Sequence, residues 1–123
     1  MAHADEALDI LLSGARSAAG LSQPPQLLIV MTACMSRLGW KYSSIAYALA
    51  LKEFGAAAQT MYLVATAMNV APCMLGGGDS SAFARASGVS ALDEPSIGEF
   101  MLGSIPAAEH PRSAKTAPRH PDA

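Results

Sequence analysis

The feature that most constrains the fold is a long apolar stretch from about Tyr42 to Asn69, which predicts a single helix that Pro72 ends. Its apolar residues recur at spacings of about four and three, which places them on one side of a helix. That face holds Tyr47, Leu51, Phe54, Ala58, Met61, Ala65 and Met68, and a second apolar face holds Ile45, Leu49, Leu63 and Ala67. A helix that is apolar on more than one side must be buried in a core or an interface.

This helix has two possible surroundings, a membrane or another protein surface. Lys52, Glu53, Gln59 and Asn69 interrupt the apolar run before it reaches the ~20 apolar residues that a membrane span requires. The small residues Gly55-Ala56-Ala57-Ala58 at its centre allow another backbone to approach closely. We therefore expect no membrane association and favour a helix at the centre of a dimer.

The segments on either side of the long helix predict an α+β fold with a short mixed sheet, because helical and strand-like patterns alternate along the chain. No internal repeat is visible. The predicted elements, besides the long helix, are an amphipathic helix from about Asp5 to Ala19, a strand within Gln26–Ala33, a short apolar segment at Cys73–Leu75, a helix that Asp79 or Ser80 caps and Gly88 ends, and a last strand at Ser96–Gly103.

The chain is predicted to divide into three parts. Residues 1–24 form an N-terminal helix and linker, residues 25–104 form the main domain, and residues 105–123, rich in Pro, Ala and charged residues, form a disordered tail. The first residues are acidic where a signal peptide would be basic. The two cysteines, Cys34 and Cys73, form no CxxC motif. We therefore expect a cytoplasmic protein with reduced thiols.

Composition and charge exclude several function classes. The chain is 51% hydrophobic and 15% charged, which is typical of a globular protein rather than a disordered one. Its formal net charge of -2 lacks the positive field that nucleic-acid binding needs. His3, His110 and His120 all lie in the terminal segments, so neither a Ser-His triad nor a histidine metal site is expected in the core.

Two short segments could carry chemistry. Lys41-Tyr42 precedes the long helix, where a desolvated lysine, or a tyrosine near a cation, could act as an acid or base. The alternative is a solvated lysine beside a packed aromatic ring. Gly76-Gly77-Gly78 would expose consecutive backbone N–H groups to a flat ring or an anion. The alternative here is an ordinary flexible turn, since the segment matches neither GxGxxG nor a P-loop.

Read together, several separate motifs resemble the C-terminal region of SagB-type azoline dehydrogenases, which are FMN-dependent enzymes of the nitroreductase fold. The resemblance runs from about Leu27 to Gly103. The segments that carry it are Trp40-Lys41-Tyr42, Ile45-Ala46-Tyr47, Gly55, Tyr62–Met68, Ala71-Pro72-Cys73, Leu75–Ser80, Phe83–Gly88 and Gly98–Gly103. Enzymes of this type oxidise thiazolines and oxazolines in peptides to azoles.

The resemblance implies a partial nitroreductase-like domain with defined site residues. Lys41 and Tyr42 would be catalytic, one of them removing a proton from the azoline ring as hydride passes to flavin N5. Backbone N–H groups of Gly76, Gly77 and Gly78 would bind the N5 and O4 edge of FMN. The long helix would lie at the centre of a homodimer with the flavin at the subunit boundary.

The resemblance does not extend to the segment that supplies arginine and polar residues for the FMN phosphate, so no phosphate contact is carried over. Two hypotheses follow. The chain is a flavin oxidoreductase acting on a peptide, either as a dimer or with a complementary chain. Alternatively, it is a truncated, non-catalytic half-domain that associates with a full-length dehydrogenase or a cyclodehydratase complex.

Overall fold

The structure is a computed structural model that describes residues 2–105, with side chains from residue 5 onward. The predicted disordered tail therefore lies outside the described residues from position 106. The elements are α1 (Ala2–Ala18), β1 (Leu27–Thr32), α2 (Met35–Tyr42), a 3-10 turn (Ser43–Ile45), α3 (Ala46–Ala67), β2 (Val70–Leu75), α4 (Ser80–Ser87) and β3 (Ser96–Ser104).

The three strands form one sheet in the order β1-β3-β2. The last strand, β3, lies in the middle, and Met101 is paired with Leu28 of β1 on one side and with Cys73 of β2 on the other. Both pairings are antiparallel, so the sheet is not mixed as the sequence had suggested. The reason is that β3 runs back between two strands that enter in the same direction, which keeps β1 and β2 from pairing with each other. The predicted α+β class is confirmed.

Side chains of β3 alternate between the two faces of the sheet, as strand geometry requires. On one face Met101 packs with Leu75 and with Ala15 of α1. On the other face Phe100, fully buried, packs with Phe54 and Ala58 of α3. The sheet thus lies between α1 and α3, while α4 packs against α1 and α2 against α3.

The long helix is shorter than predicted and buries a narrower stripe. It begins at Ala46 rather than Tyr42, and its buried residues are Ala46, Ala50, Phe54, Ala58 and Ala65. Many of the predicted apolar positions are exposed in the single chain, among them Ile45 just before the helix, Tyr47, Leu51, Leu63 and, just after it, Met68. The small alanines let the helix lie close to the sheet, where the Phe54 ring occupies the space beside Gly98.

Proline 72 does not end the helix, contrary to the sequence-based expectation. The helix ends at Ala67, and Asn69 turns the chain with a φ of 56°. Pro72 then lies inside β2, paired with Leu102. A proline is tolerated there because β2 is an edge strand, where one side needs no N–H donor. Among the described residues, no helix is long and apolar enough to cross a membrane.

Several local predictions are confirmed. The strand expected within Gln26–Ala33 is β1, and the strand expected at Ser96–Gly103 is β3. Asp79 caps α4 by accepting a hydrogen bond from the Ala82 N–H at 2.8 Å, and Gly88 ends α4 in the left-handed conformation with a φ of 79°.

Candidate functional site

Both segments that the sequence singled out leave the sheet at the same end. β1 ends at Thr32, which is paired with Ser96 at the start of β3, and β2 ends at Leu75, which is paired with Glu99. Helix α2, with Lys41 and Tyr42 in its last turn, follows β1, and Gly76 follows β2. The topology therefore places both candidate segments around the first residues of β3.

The glycine segment is exposed but anchored at its far end. Beyond Gly78, Asp79 is held as the cap of α4, and the Ser80 hydroxyl donates to the Ser96 carbonyl at 3.4 Å. At its near end it continues directly from Leu75, which is buried in the core. We call Gly76–Gly78 the glycine loop. Its anchors limit the positions that its backbone N–H groups can take.

The three glycines differ in the space that a side chain would have at each position. At Gly76 and Gly77 an added Cβ would meet no atom within 4 Å, so the space above them is open. At Gly78 an added Cβ would lie 2.8 Å from Glu99 Oε1, closer than carbon and oxygen tolerate. Gly78 is thus closely packed against the Glu99 side chain, whereas Gly76 and Gly77 leave room for a ligand.

Glu99 was not among the residues that the sequence analysis selected. It is the buried charged residue of the described core, with 3% of its surface exposed. Burial raises the pKa of its carboxyl group, the nearby Asp79 backbone N–H opposes the increase, and the negative charge of Asp79 adds to it. The signal in the sequence was a single glutamate inside an otherwise apolar strand, which predicts either an exposed edge or a buried charge.

The glycine loop borders a cleft of about 270 Å³ on the α1 side of the sheet. We call it the loop cleft, and its residues are Ile10, Leu11, Gly14, Ala18, Gly77, Gly78, Asp79 and Glu99. Helix α1 therefore contributes a wall to the surroundings of the loop, although the sequence had assigned it to a separate N-terminal segment.

Lys41 and Tyr42 are exposed, and they contact each other. The Lys41 ammonium lies 5.3 Å from the centre of the Tyr42 ring, within the range of a cation–π contact. Tyr42 lines a larger cleft of about 630 Å³, which we call the α2 cleft. Its other residues are Met31, Thr32, Ala33, Cys34, Arg37, Leu38, Leu49, Ala50, Glu53, Ala57 and Ile97. Of the two arrangements that the sequence predicted, the structure shows a tyrosine beside a cation. The desolvated lysine is not seen, because Lys41 is exposed.

The two clefts are separate within one chain. The loop cleft lies against α1, the α2 cleft lies against α3, and they share no lining residue. The structure therefore brings Lys41 together with Tyr42, and Gly77 together with Gly78, but it does not place the two pairs in one pocket.

Cys34 is a second residue of the α2 cleft with distinctive chemistry. A hydrogen bond with the Ser36 hydroxyl at 3.4 Å lowers the pKa of the Cys34 thiol, and the Arg37 backbone N–H and the Arg37 charge lower it further. Sequence reasoning identified Cys34 only as a reduced thiol. Its position at the start of α2 was hidden because that helix was not predicted.

The glycine loop fits the polar edge of a flavin ring. Gly76 and Gly77 are exposed, and no side chain would block a flat ring from approaching their N–H groups. Within the part of the chain that the structure describes, no group of three or more His, Cys, Asp or Glu residues could hold a metal ion. The open space above Gly76 and Gly77 is what makes the loop compatible with the expected FMN.

A model of the nitroreductase family matches residues 2–104 of the chain. The match begins with α1 and ends with β3, so it includes every element described above. No curated protein matches the chain. The family match supports the α+β class and identifies no substrate.

Proposed function

This chain belongs to the nitroreductase family, which indicates an FMN-dependent oxidoreductase, and on that premise we propose that it serves in the oxidation of azolines to azoles in peptides. The azoline specificity is taken from the resemblance of its motifs to SagB-type dehydrogenases. We also propose a cytoplasmic location, because the two cysteines, Cys34 and Cys73, are both unpaired.

The single observation that carries the flavin proposal is the geometry of the glycine loop. Gly76 and Gly77 have open space where side chains would be, while Asp79 is fixed by its bond to the Ala82 N–H. Backbone donors on an anchored loop bind a polar ring edge with little loss of conformational entropy. FMN, when bound, supplies the hydride-accepting chemistry, and the loop orients its ring.

Lys41 and Tyr42 are proposed to handle the proton that leaves the azoline ring. The lysine ammonium lies 5.3 Å from the centre of the tyrosine ring, so both side chains can face the same bound ring. The α2 cleft beside Tyr42, about 630 Å³ and with many apolar residues in its lining, is of the size that small-ligand sites usually have. It would hold the ring of the peptide substrate.

A complete site is proposed to combine two chains. The loop cleft and the α2 cleft share no residue in one chain, so the glycine loop of one subunit would face Lys41 and Tyr42 of another. The exposed apolar side chains of Tyr47 and Leu63 on α3, and of Met68 just after it, support such an arrangement, because no part of the described chain covers them.

The flavin proposal is tested by adding FMN to the purified 123-residue chain and recording the absorbance of the protein fraction after gel filtration. A flavin spectrum that Gly77→Val abolishes is the expected result, because valine would fill the open space over the loop. Unaltered flavin binding by Gly77→Val would refute the role of the loop.

The two-chain site is tested by co-expressing Lys41→Ala with Gly77→Val and assaying a short peptide that carries one thiazoline. Each variant alone is expected to be inactive. Random pairing gives half heterodimers, and each holds one intact site if the site is shared, so about a quarter of full activity should return. No recovery would show that both segments act within one chain.

The alternative function is a half-domain without catalysis that docks on a full-length dehydrogenase or a cyclodehydratase complex. The exposure of Lys41 favours this alternative, because the described chain does not desolvate the proposed catalytic lysine. It predicts co-purification with such a protein and no flavin spectrum from this chain. Flavin bound to the isolated chain would exclude it.

A further inference from the structure

The two outer strands of the sheet differ in how their free edges are protected. In the order β1-β3-β2, the described strands β1 and β2 each have one side that pairs with no other strand. On β2 that side is closed, because the Met74 N–H donates to the Tyr62 hydroxyl at 2.8 Å and Pro72, facing the same way two residues earlier, has no N–H. Prolines and covering side chains are common means of keeping an edge strand from pairing with another chain.

The direction of the Met74 N–H also shows which backbone groups of β1 face outward. Because this group points away from β3, the residue paired with Met74, which is Phe100, directs its own N–H and C=O toward Ile29 of β1. Backbone groups point alternately to the two sides of a strand. The N–H and C=O groups of Leu28 and Val30 therefore point away from the sheet.

A second hydrogen bond gives the same assignment for β1. The Ala33 N–H, just beyond the end of β1, donates to the Pro95 carbonyl just before β3 at 3.1 Å, so the odd-numbered residues face β3. Among the described residues, no loop or side chain bonds to the backbone of Leu28 or Val30. Strand β1 also contains neither a proline nor a charged residue. Its outer edge is therefore open to pairing.

This open edge leads into the α2 cleft. Met31, Thr32 and Ala33, at the end of β1, all line that cleft. The register with β3 shifts between Met31 and Thr32, which leaves Ile97 without a partner in β1, and Ile97 lines the cleft as well. An extended chain that lay along β1 would therefore reach the cleft at the end of the strand.

We propose that the outer edge of β1 binds the peptide substrate as an added strand, which delivers the azoline ring to the α2 cleft. This rests on the function proposed above for that cleft. Main-chain hydrogen bonds hold an extended peptide with little dependence on its sequence. The ring cannot pair in this way, because its closure consumes a backbone N–H and a carbonyl oxygen. The edge holds the residues beside the ring, and the cleft holds the ring.

The size of the edge favours a peptide over a second copy of the chain. Leu28 and Val30 supply one N–H and one C=O each, whereas a stable interface between two proteins carries about ten hydrogen bonds. The register shift after Met31 ends the regular part of the strand. A peptide requires less from the edge, because its ring also contacts the cleft.

The experiment measures hydrogen exchange of single backbone amides by NMR in the labelled 123-residue chain, with and without a probe. The probe is a peptide with one thiazoline ring and three valines on each side. Without it, the amides of Leu28 and Val30 should exchange faster than those of Ile29 and Met31, which face β3. A saturating amount should slow exchange at Leu28 and Val30 by at least about tenfold and leave the other two unchanged.

Two variants and a second probe test the hydrogen bonds themselves. Val30→Pro removes one outward N–H and should weaken probe binding about three- to tenfold, the scale of one hydrogen bond. Tyr62→Phe is the control at the other edge, and it should speed exchange at Met74 while leaving probe affinity unchanged. A probe with N-methylated valines, whose methyl groups remove its donors and obstruct pairing, should give no protection at Leu28 or Val30.

A probe that does not bind, or that binds and leaves exchange at Leu28 and Val30 fast, would overturn the proposal. Protection that appears without the probe as the chain concentration rises would also overturn it, since a second copy would then cover the edge. The wild-type measurement stands even where Val30→Pro does not fold, and it requires neither flavin nor turnover. Protection without turnover in the presence of FMN would contradict azoline oxidation and leave the edge site standing, whereas turnover without protection would remove only the edge site.

Discussion

The two candidate segments leave the same end of the sheet, but only one of them is built within the chain. The glycine loop borders the cleft beside α1, continues into Asp79, which caps α4, and packs closely against the buried Glu99 at Gly78. Lys41 and Tyr42 lie in the last turn of α2, both exposed. Under the proposed function, the chain by itself would position the edge of the cofactor, whereas the side that carries Lys41 and Tyr42 would need a second surface to exclude water.

The largest effect is expected from Lys41→Ala. A general acid or base contributes typically 10²–10⁴-fold to a rate, so turnover of a thiazoline peptide should fall by at least about 100-fold. Flavin binding should be retained, because Lys41 is absent from the loop cleft. The control is Lys52→Ala, which removes an exposed lysine from α3. Equal activity of the two variants would remove Lys41 from the mechanism.

The second largest effect is expected at the exposed surface of α3, which would form the proposed contact between two subunits. Leu63 is 64% exposed on α3, and Leu63→Glu would place a charge in the proposed subunit contact. We expect dimer affinity to fall about 100-fold, or ~2.8 kcal/mol, as measured by analytical ultracentrifugation. Leu92→Glu is the control, since Leu92 is 89% exposed and lies outside α3. A wild-type chain that sediments as a monomer at all concentrations would contradict the two-chain site.

The third effect tests whether the glycine loop is as firmly built as its contacts indicate. Gly78→Ala places a methyl group 2.8 Å from Glu99 Oε1 and should lower the free energy of unfolding by about 1–3 kcal/mol, the usual cost of overpacking. Gly77→Ala meets no atom within 4 Å and should change it by less than about 0.5 kcal/mol. Urea denaturation measures both. Equal free energies of unfolding for the two variants would show that the loop or the Glu99 side chain can move away from the added methyl group at no cost.

The smallest effect is expected at Cys34. Its thiol has a lowered pKa, chiefly because of the Ser36 hydroxyl, so more of it is thiolate at neutral pH and it should react faster with iodoacetamide than an ordinary cysteine. Ser36→Ala should raise that pKa and slow the reaction a few-fold at pH 7. Mass spectrometry can follow Cys73 in the same sample as an internal reference. An unchanged rate in Ser36→Ala would exclude the hydroxyl as the cause.

Around the glycine loop and around Lys41-Tyr42, the sequence predicted some elements and missed another. The strands β1 and β3 followed from short apolar runs, and the limits of α4 followed from Asp79 and Gly88, because caps and strand patterns are local signals. Helix α2 was missed because it has only eight residues, contains Gly39 and contributes no buried residue. Without α2, the cleft beside Tyr42 and the position of Cys34 at its start were not predictable.

By itself, the sequence determined the α+β class, the two segments with chemical potential and the family resemblance, since these depend on residue types and spacings along the chain. Only the tertiary structure decided that β3 lies between β1 and β2, that the buried Glu99 packs against Gly78 and that the two clefts are separate. These are contacts between residues far apart in the chain. Strand register and the packing of α1 and α3 on opposite faces set them, and neither has a local signal.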